Sequence, residues 1–137
     1  MSVEWRGDKY KENLEKEIIK RLYRAAIVFK REVQKEISVA VQIMKLPKGR
    51  NSSGRFTKGA EFKIRSKPGE PPRKDFGELR RSIAFAVDEK KLVARVGSNK
   101  IYNKYLELGT SLMRARPVWR PMLVKLRKQI KGILEGK

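Results

Sequence analysis

Two groups of residues in this chain have types and spacings that suggest chemistry. Seven cations, Lys45, Lys48, Arg50, Arg55, Lys58, Lys63 and Arg65, crowd a glycine-rich stretch whose lone aromatic is Phe56. Clustered ammonium and guanidinium groups suit phosphates or acidic protein surfaces, and a single ring is too little for a base-stacking platform. Contact there would be to the charge of a polyanion and not to base identity. The second group is Glu107, an acid in an otherwise apolar run, followed closely by Arg114 and Arg116. It is placed to pair with either arginine and so to hold the Arg116-Pro117 turn.

Most other chemistry is absent from the composition. The chain has no Cys and no His, which removes disulfides, thiol nucleophiles, thiolate metal sites, the usual general base and the commonest transition-metal ligand. No P-loop, nucleophile-base pair or clustered metal ligands can be traced, so neither catalytic residues, nor a metal, nor a cofactor, nor a small-molecule substrate is expected. The reading is of a protein that is not an enzyme.

The elements that must position these groups can be read from periodicity. From Lys9 to Met44 apolar residues recur every three or four positions (Leu14, Ile18, Leu22, Ala25, Phe29, Val33, Ile37, Ala40), which predicts a long amphipathic helix. It is either a core helix with a solvated charged back, or a helix that outreaches a core this small and meets another subunit. Pro47 and Gly49 should end it and open a basic, mobile loop. Glu61 to Arg65 alternates and reads as a strand, and SKPGEPPRKDFG as a stiff extended connector. Asp75 and Glu78 have capping-box spacing for a turn of helix carrying Leu79. Ser82–Val87 and Leu92–Val96 alternate around the turn DEKK and predict a hairpin.

Ser98 or Asn99 should then cap a short helix carrying Tyr105, Leu106 and Leu108, with Gly109 as its left-handed stop. A final amphipathic helix, with Trp119, Leu123, Leu126, Ile130 and Ile133 on one stripe, should begin near Pro121 as its first residue. Tyr105, Leu106, Leu108 and Trp119 are expected in the core.

The predicted architecture is a single α+β domain over 1–137: long N-terminal helix (about 9–44), basic loop (about 45–60), sheet and motif region (61–116) and C-terminal helix (about 117–134). The sheet is expected to be small and antiparallel, of three or more strands. The net charge is +20, concentrated in residues 45–74 (+8) and 114–137 (+7). Such a field attracts polyanions and opposes self-association unless charge is neutralised at the contact. No apolar run reaches the length of a membrane span, and the first residues lack the apolar core of a signal peptide, so a cytoplasmic protein without membrane contact is expected.

The runs PGEPPRKDFGELRRSIAF, KLVARVGSN and YNKYLELGTSLMRARPVWRPML occur in that order over residues 66–126. They resemble the tail-completion or neck proteins of tailed bacteriophages, the gene-product-ten-like family of Hong Kong-type lambdoid phages. The positions that carry the resemblance are Gly77, Leu79, Ser82, Ile83, Tyr105, Leu106, Glu107, Gly109, Thr110, Arg116, Pro117, Arg120 and Pro121. The resemblance implies a structural virion protein made in the cytoplasm of the infected bacterium. It would complete the tail and join it to the DNA-filled head, as a homo-oligomeric ring around the DNA channel. Its partners would be further copies, other neck, head-closure and tail proteins, and the DNA end through its phosphates. The alternative from composition alone is a sequence-nonspecific nucleic-acid-binding protein that uses the 45–74 loop and the C-terminal helix.

Overall fold

The computed structural model describes residues 7–39, 42–45, 49–50, 53–57, 59, 61–64, 66–73 and 77–137. The fold is α+β, in the order α1 (Gly7–Glu36), β1 (Gln42–Lys45), β2 (Gly49–Arg50), β3 (Phe56–Thr57), β4 (Glu61–Ile64), α2 (Glu78–Ser82), β5 (Ile83–Asp88), β6 (Val93–Ser98), α3 (Tyr102–Leu108) and α4 (Trp119–Glu135).

Helix α1 is the long amphipathic helix the spacing predicts, but it ends at Glu36 and not at Met44. Ser38 closes it, donating its hydroxyl to the Gln34 carbonyl while its amide bonds Lys35 O at 2.9 Å. The residues beyond, ISVAVQI, carry Ile37, Val39, Val41 and Ile43 at alternate positions, so the same run fits a period of two as well as a period of three or four. Their β-branched side chains favour the extended form, and Gln42–Lys45 becomes β1.

That strand changes the expected sheet. β1 takes β4 as its antiparallel partner, with Gln42 opposite Ile64 and Lys45 opposite Glu61. β2 pairs with β3 in the same register, Gly49 opposite Thr57 and Arg50 opposite Phe56. Part of the basic stretch expected to be a mobile loop is therefore a β-ribbon. Among the described residues the strands form three two-stranded ladders, and none joins three strands. β4 is missing from the β5–β6 sheet because β1, concealed in the tail of the helical stripe, supplies its neighbour. Among the described residues the main packing partner of each ribbon strand is the strand it pairs with.

The body is α1, the β5–β6 hairpin, α2, α3 and α4. β5 and β6 pair from Ile83 opposite Ser98 to Asp88 opposite Val93, and the Asp88 carboxylate accepts the Lys91 amide at 3.1 Å to shape the turn. The alternation predicted for this hairpin places Ile83, Phe85 and Val87 with Ala94 and Val96 on the inner face. There Phe85 meets Tyr23 of α1 edge-on at 6.3 Å between ring centroids. The core is Phe29, Val33 and Ile37 of α1, Leu79, Ile83, and Val118, Met122 and Leu126 at and in α4.

α1 and α4 run antiparallel. An ion pair between Glu36 and Lys125 (3.6 Å) marks one end, and a bond from the Arg21 guanidinium to Leu134 O (3.2 Å) marks the other.

Truncation at the centre should be severe and truncation at the periphery harmless. Ile83→Ala, at a residue 2% exposed, is expected to lower unfolding free energy by ~3 kcal/mol. Leu112→Ala, at a residue 98% exposed, should change it by less than ~0.5 kcal/mol. Urea denaturation followed by circular dichroism separates the two.

Candidate functional site

The residues that carry the sequence motif converge on the elbow between α3 and α4. α3 has seven residues and spans only ~10 Å, so it can offer one narrow face to the body. Leu106 on that face packs against the core, Asn103 accepts the Trp119 indole N–H at 3.0 Å, and Glu107 points at the start of α4. Tyr105 and Leu108, expected to be buried, are instead 48% and 57% exposed. A helix this short has no second covered face to give them.

Neither Ser98 nor Asn99 caps α3, whose first residues have no side-chain cap. The Ser98 hydroxyl is engaged elsewhere, 2.6 Å from the Ser82 hydroxyl and accepting the Lys100 amide at 3.2 Å. Ser82 Oγ also reaches Leu79 O at 2.7 Å, so this serine pair ties the end of α2 to the end of β6. Beside it Tyr102 has its phenol held above its ordinary pKa, first by burial and then by the nearby Glu78 carboxylate. Glu78 itself reaches Lys100 at 3.7 Å.

At the other end of α3 the stop is the predicted glycine. Gly109 has φ +77° and ψ 178°, a combination essentially confined to glycine. A Cβ at this position would lie 2.9 Å from Ala115 N and 2.9 Å from Met113 O, because the chain doubles back against it. The loop that does so is a turn closed by Thr110 N to Met113 O (2.8 Å), with Thr110 Oγ1 accepting the amides of Leu112 and Met113. Arg116 N then bonds Leu106 O at 2.7 Å, using a carbonyl that the end of α3 leaves without a partner. A Pro68-Gly69 turn docks on the same strand of chain through Gly69 N to Ala115 O at 3.0 Å.

Glu107 does not pair with Arg114 or Arg116. Its Oε2 accepts Val118 N (2.7 Å) and Trp119 N (3.2 Å), and its Oε1 accepts Arg120 N (3.1 Å). These are three of the four amides that open α4 and that no helical carbonyl can reach. The fourth position is Pro121, which has no amide hydrogen, and the next amide, Met122 N, bonds Val118 O normally at 3.1 Å. α4 therefore begins at Trp119, two residues earlier than predicted. Proline sits third in the first turn, where its missing donor leaves nothing unbonded. The carboxylate also lies at the positive end of the helix dipole. The Arg116 guanidinium takes no part, and its Nε is buried without a hydrogen-bond partner.

The remaining motif residues support this joint from below. Leu79 and Ile83 are core, and Gly77 is a buried, left-handed residue at the start of α2, which has no side-chain cap. Asp75 of the predicted capping box lies outside the described residues. Pro117, Pro121, Leu108 and Val124 border an open hollow of about 720 Å³ beside Glu107.

Of the cationic set, Lys45 and Arg55 are the two whose side chains are described, and both are exposed. Arg50 and Lys63 fall on β2 and β4, and Lys48, Lys58 and Arg65 lie outside the described residues. The structure thus brings the motif residues Leu106, Glu107, Gly109, Thr110, Arg116 and Arg120 together at the elbow. Asn103 was not singled out in the sequence, although a half-buried indole N–H needs an acceptor and so gave a signal for one. Among the described residues no group of acids could hold a metal ion, and no helix is long and apolar enough to cross a membrane. Comparison with family models, with curated proteins and with solved structures returned no match.

Glu107→Gln keeps the shape but loses the charge and one of the two acceptor oxygens, and should lower stability by ~2 kcal/mol, whereas Arg114→Ala should fall within ~0.5 kcal/mol of the parent. Equal effects from the two would restore the Glu107–Arg114 pairing that the geometry replaces. Gly109→Ala combines backbone strain with overlap against fixed backbone, and a loss of ~3 kcal/mol or more is expected in the same denaturation assay.

Proposed function

We propose that this chain is a structural assembly protein of the tailed-phage neck, which completes the tail and joins it to the DNA-filled head as a ring around the DNA channel. The observation that carries the proposal is the elbow. Its motif residues are spent on fixing the angle between two helices and on presenting apolar groups outward, at Tyr105, Leu108 and Leu112. A joint of set angle with an exposed apolar rim suits a part that is clamped between neighbours.

The surface of the chain supports the same reading. The cationic ribbon and the outer residues of α4, Arg127, Lys128 and Lys131, are exposed or basic groups suited to a phosphate backbone threading the ring. That contact would be indifferent to sequence and weakened by salt.

The test is genetic and visual. When the gene is inactivated in its phage, electron microscopy of the lysate should find filled heads and finished tails lying apart, and supplying the protein should join them. Joined, infectious particles in its absence would overturn the proposal.

A further inference from the structure

The apolar stripe of α1 continues past the end of the body that covers it. α4 finishes opposite Arg21, and residues 8–17 of α1, about 15 Å of helix, are all exposed. Tyr10 and Leu14 nevertheless extend at four-residue spacing the face that further on carries Ile18, Leu22, Ala25 and Phe29. They stand 72% and 46% exposed. The same molecule has an unfilled apolar groove of about 710 Å³ between α1, β6 and α4, with Ala25, Ala26 and Phe29 on the α1 side, Val96 on the strand, and Trp119 and Leu123 on α4. Arg95 and Arg120 also line it. Because α1 is itself one wall, its own first turns run on away from the groove and cannot enter it.

We propose that the first three turns of α1 in one copy dock in the α1–β6–α4 groove of the next. This inference rests on the ring assembly above and names the contact that builds it. Charge favours this occupant. The protruding segment holds Asp8, Glu12, Glu15 and Glu17 against Lys9, Lys11 and Lys16, and is net negative in a chain of +20. The groove is lined by two cations, Arg95 and Arg120, and by no acid. Joining the two reduces the repulsion that otherwise opposes self-association. Stripe and groove are different patches, so the contact is head-to-tail and propagates into a closed ring or a filament.

The chain has no cysteine, which makes cross-linking a clean test on the full-length protein. Leu14→Cys and Leu123→Cys both alter exposed side chains. Under mild oxidation a mixture of the two single variants should give one covalent heterodimer, and the double variant a ladder whose longest rung is the ring. Leu14→Asp should weaken assembly at least tenfold, measured by light scattering across a concentration series. A disulfide homodimer of Leu14→Cys alone would mean that α1 pairs with α1 and would overturn the contact. Assemblies that form without the heterodimer cross-link would overturn it too while leaving the ring standing, and a chain monomeric at every concentration would sink both. A small apolar molecule that stays with the purified chain in native mass spectrometry and blocks the cross-link would also overturn it.

Discussion

Three amide hydrogens at the start of α4 have no acceptor within their own helix, and the carboxylate of Glu107 takes all of them. The rest of the body depends on that arrangement. Val118, Met122 and Leu126 can enter the core only if α4 starts where it does and leaves the elbow at one angle. Capping from a neighbouring helix does what a serine or aspartate at the helix start normally does, and also fixes the angle between α3 and α4. The opposite end of α4 is treated in kind, since the Arg21 guanidinium from α1 meets the carbonyl of Leu134. An acid from one helix sits at the positive end of the dipole and a base from another at the negative end.

The backbone around this contact leaves little freedom. Gly109 turns the chain in a conformation other residues avoid, Arg116 N returns to Leu106 O, and Gly69 N holds Ala115 O from outside. Pro117 and Pro121 remove two donors from a place where donors would be hard to satisfy. Each of these is local chemistry, yet together they convert a loop of ten residues between α3 and α4 into a hinge without play. A joint of this kind fixes the position of one helix relative to the other.

Around the joint the molecule is incompletely covered. α1 outruns α4, α3 turns Tyr105 and Leu108 outward, and an open groove separates α1, β6 and α4. Among the described residues the ribbon of β1 to β4 is only two strands wide. These features share one physical consequence: apolar groups such as Tyr10, Leu14, Tyr105 and Leu108 stay exposed. The strong positive charge of the chain opposes association of copies except where acids and bases meet.

Much of this was legible in the residues themselves. The stripe Leu14 to Val33, the alternation of Ile83, Phe85 and Val87 against Ala94 and Val96, the glycine stop at 109 and most of the apolar face of the last helix are local patterns that follow from periodicity and backbone preference. In that helix, however, Met122 is buried and Leu123, expected on the stripe, is exposed. What the sequence could not rank were choices between equal local options. ISVAVQI fits a helix and a strand alike, and only the pairing of Gln42–Lys45 with Glu61–Ile64 decided for a strand at its end. Tyr105 and Leu108 look like core residues until the shortness of α3 leaves them outside. Glu107 has two arginines nearby in the chain, but only the folded elbow brings it three amides in a row that have no acceptor within their own helix. The sequence by itself determined which segments would be helix, strand and turn across most of the body, because those depend on neighbours three or four residues away. Only the tertiary structure decided what Glu107 binds and which apolar faces stay open, because those depend on groups that meet only after the chain has folded.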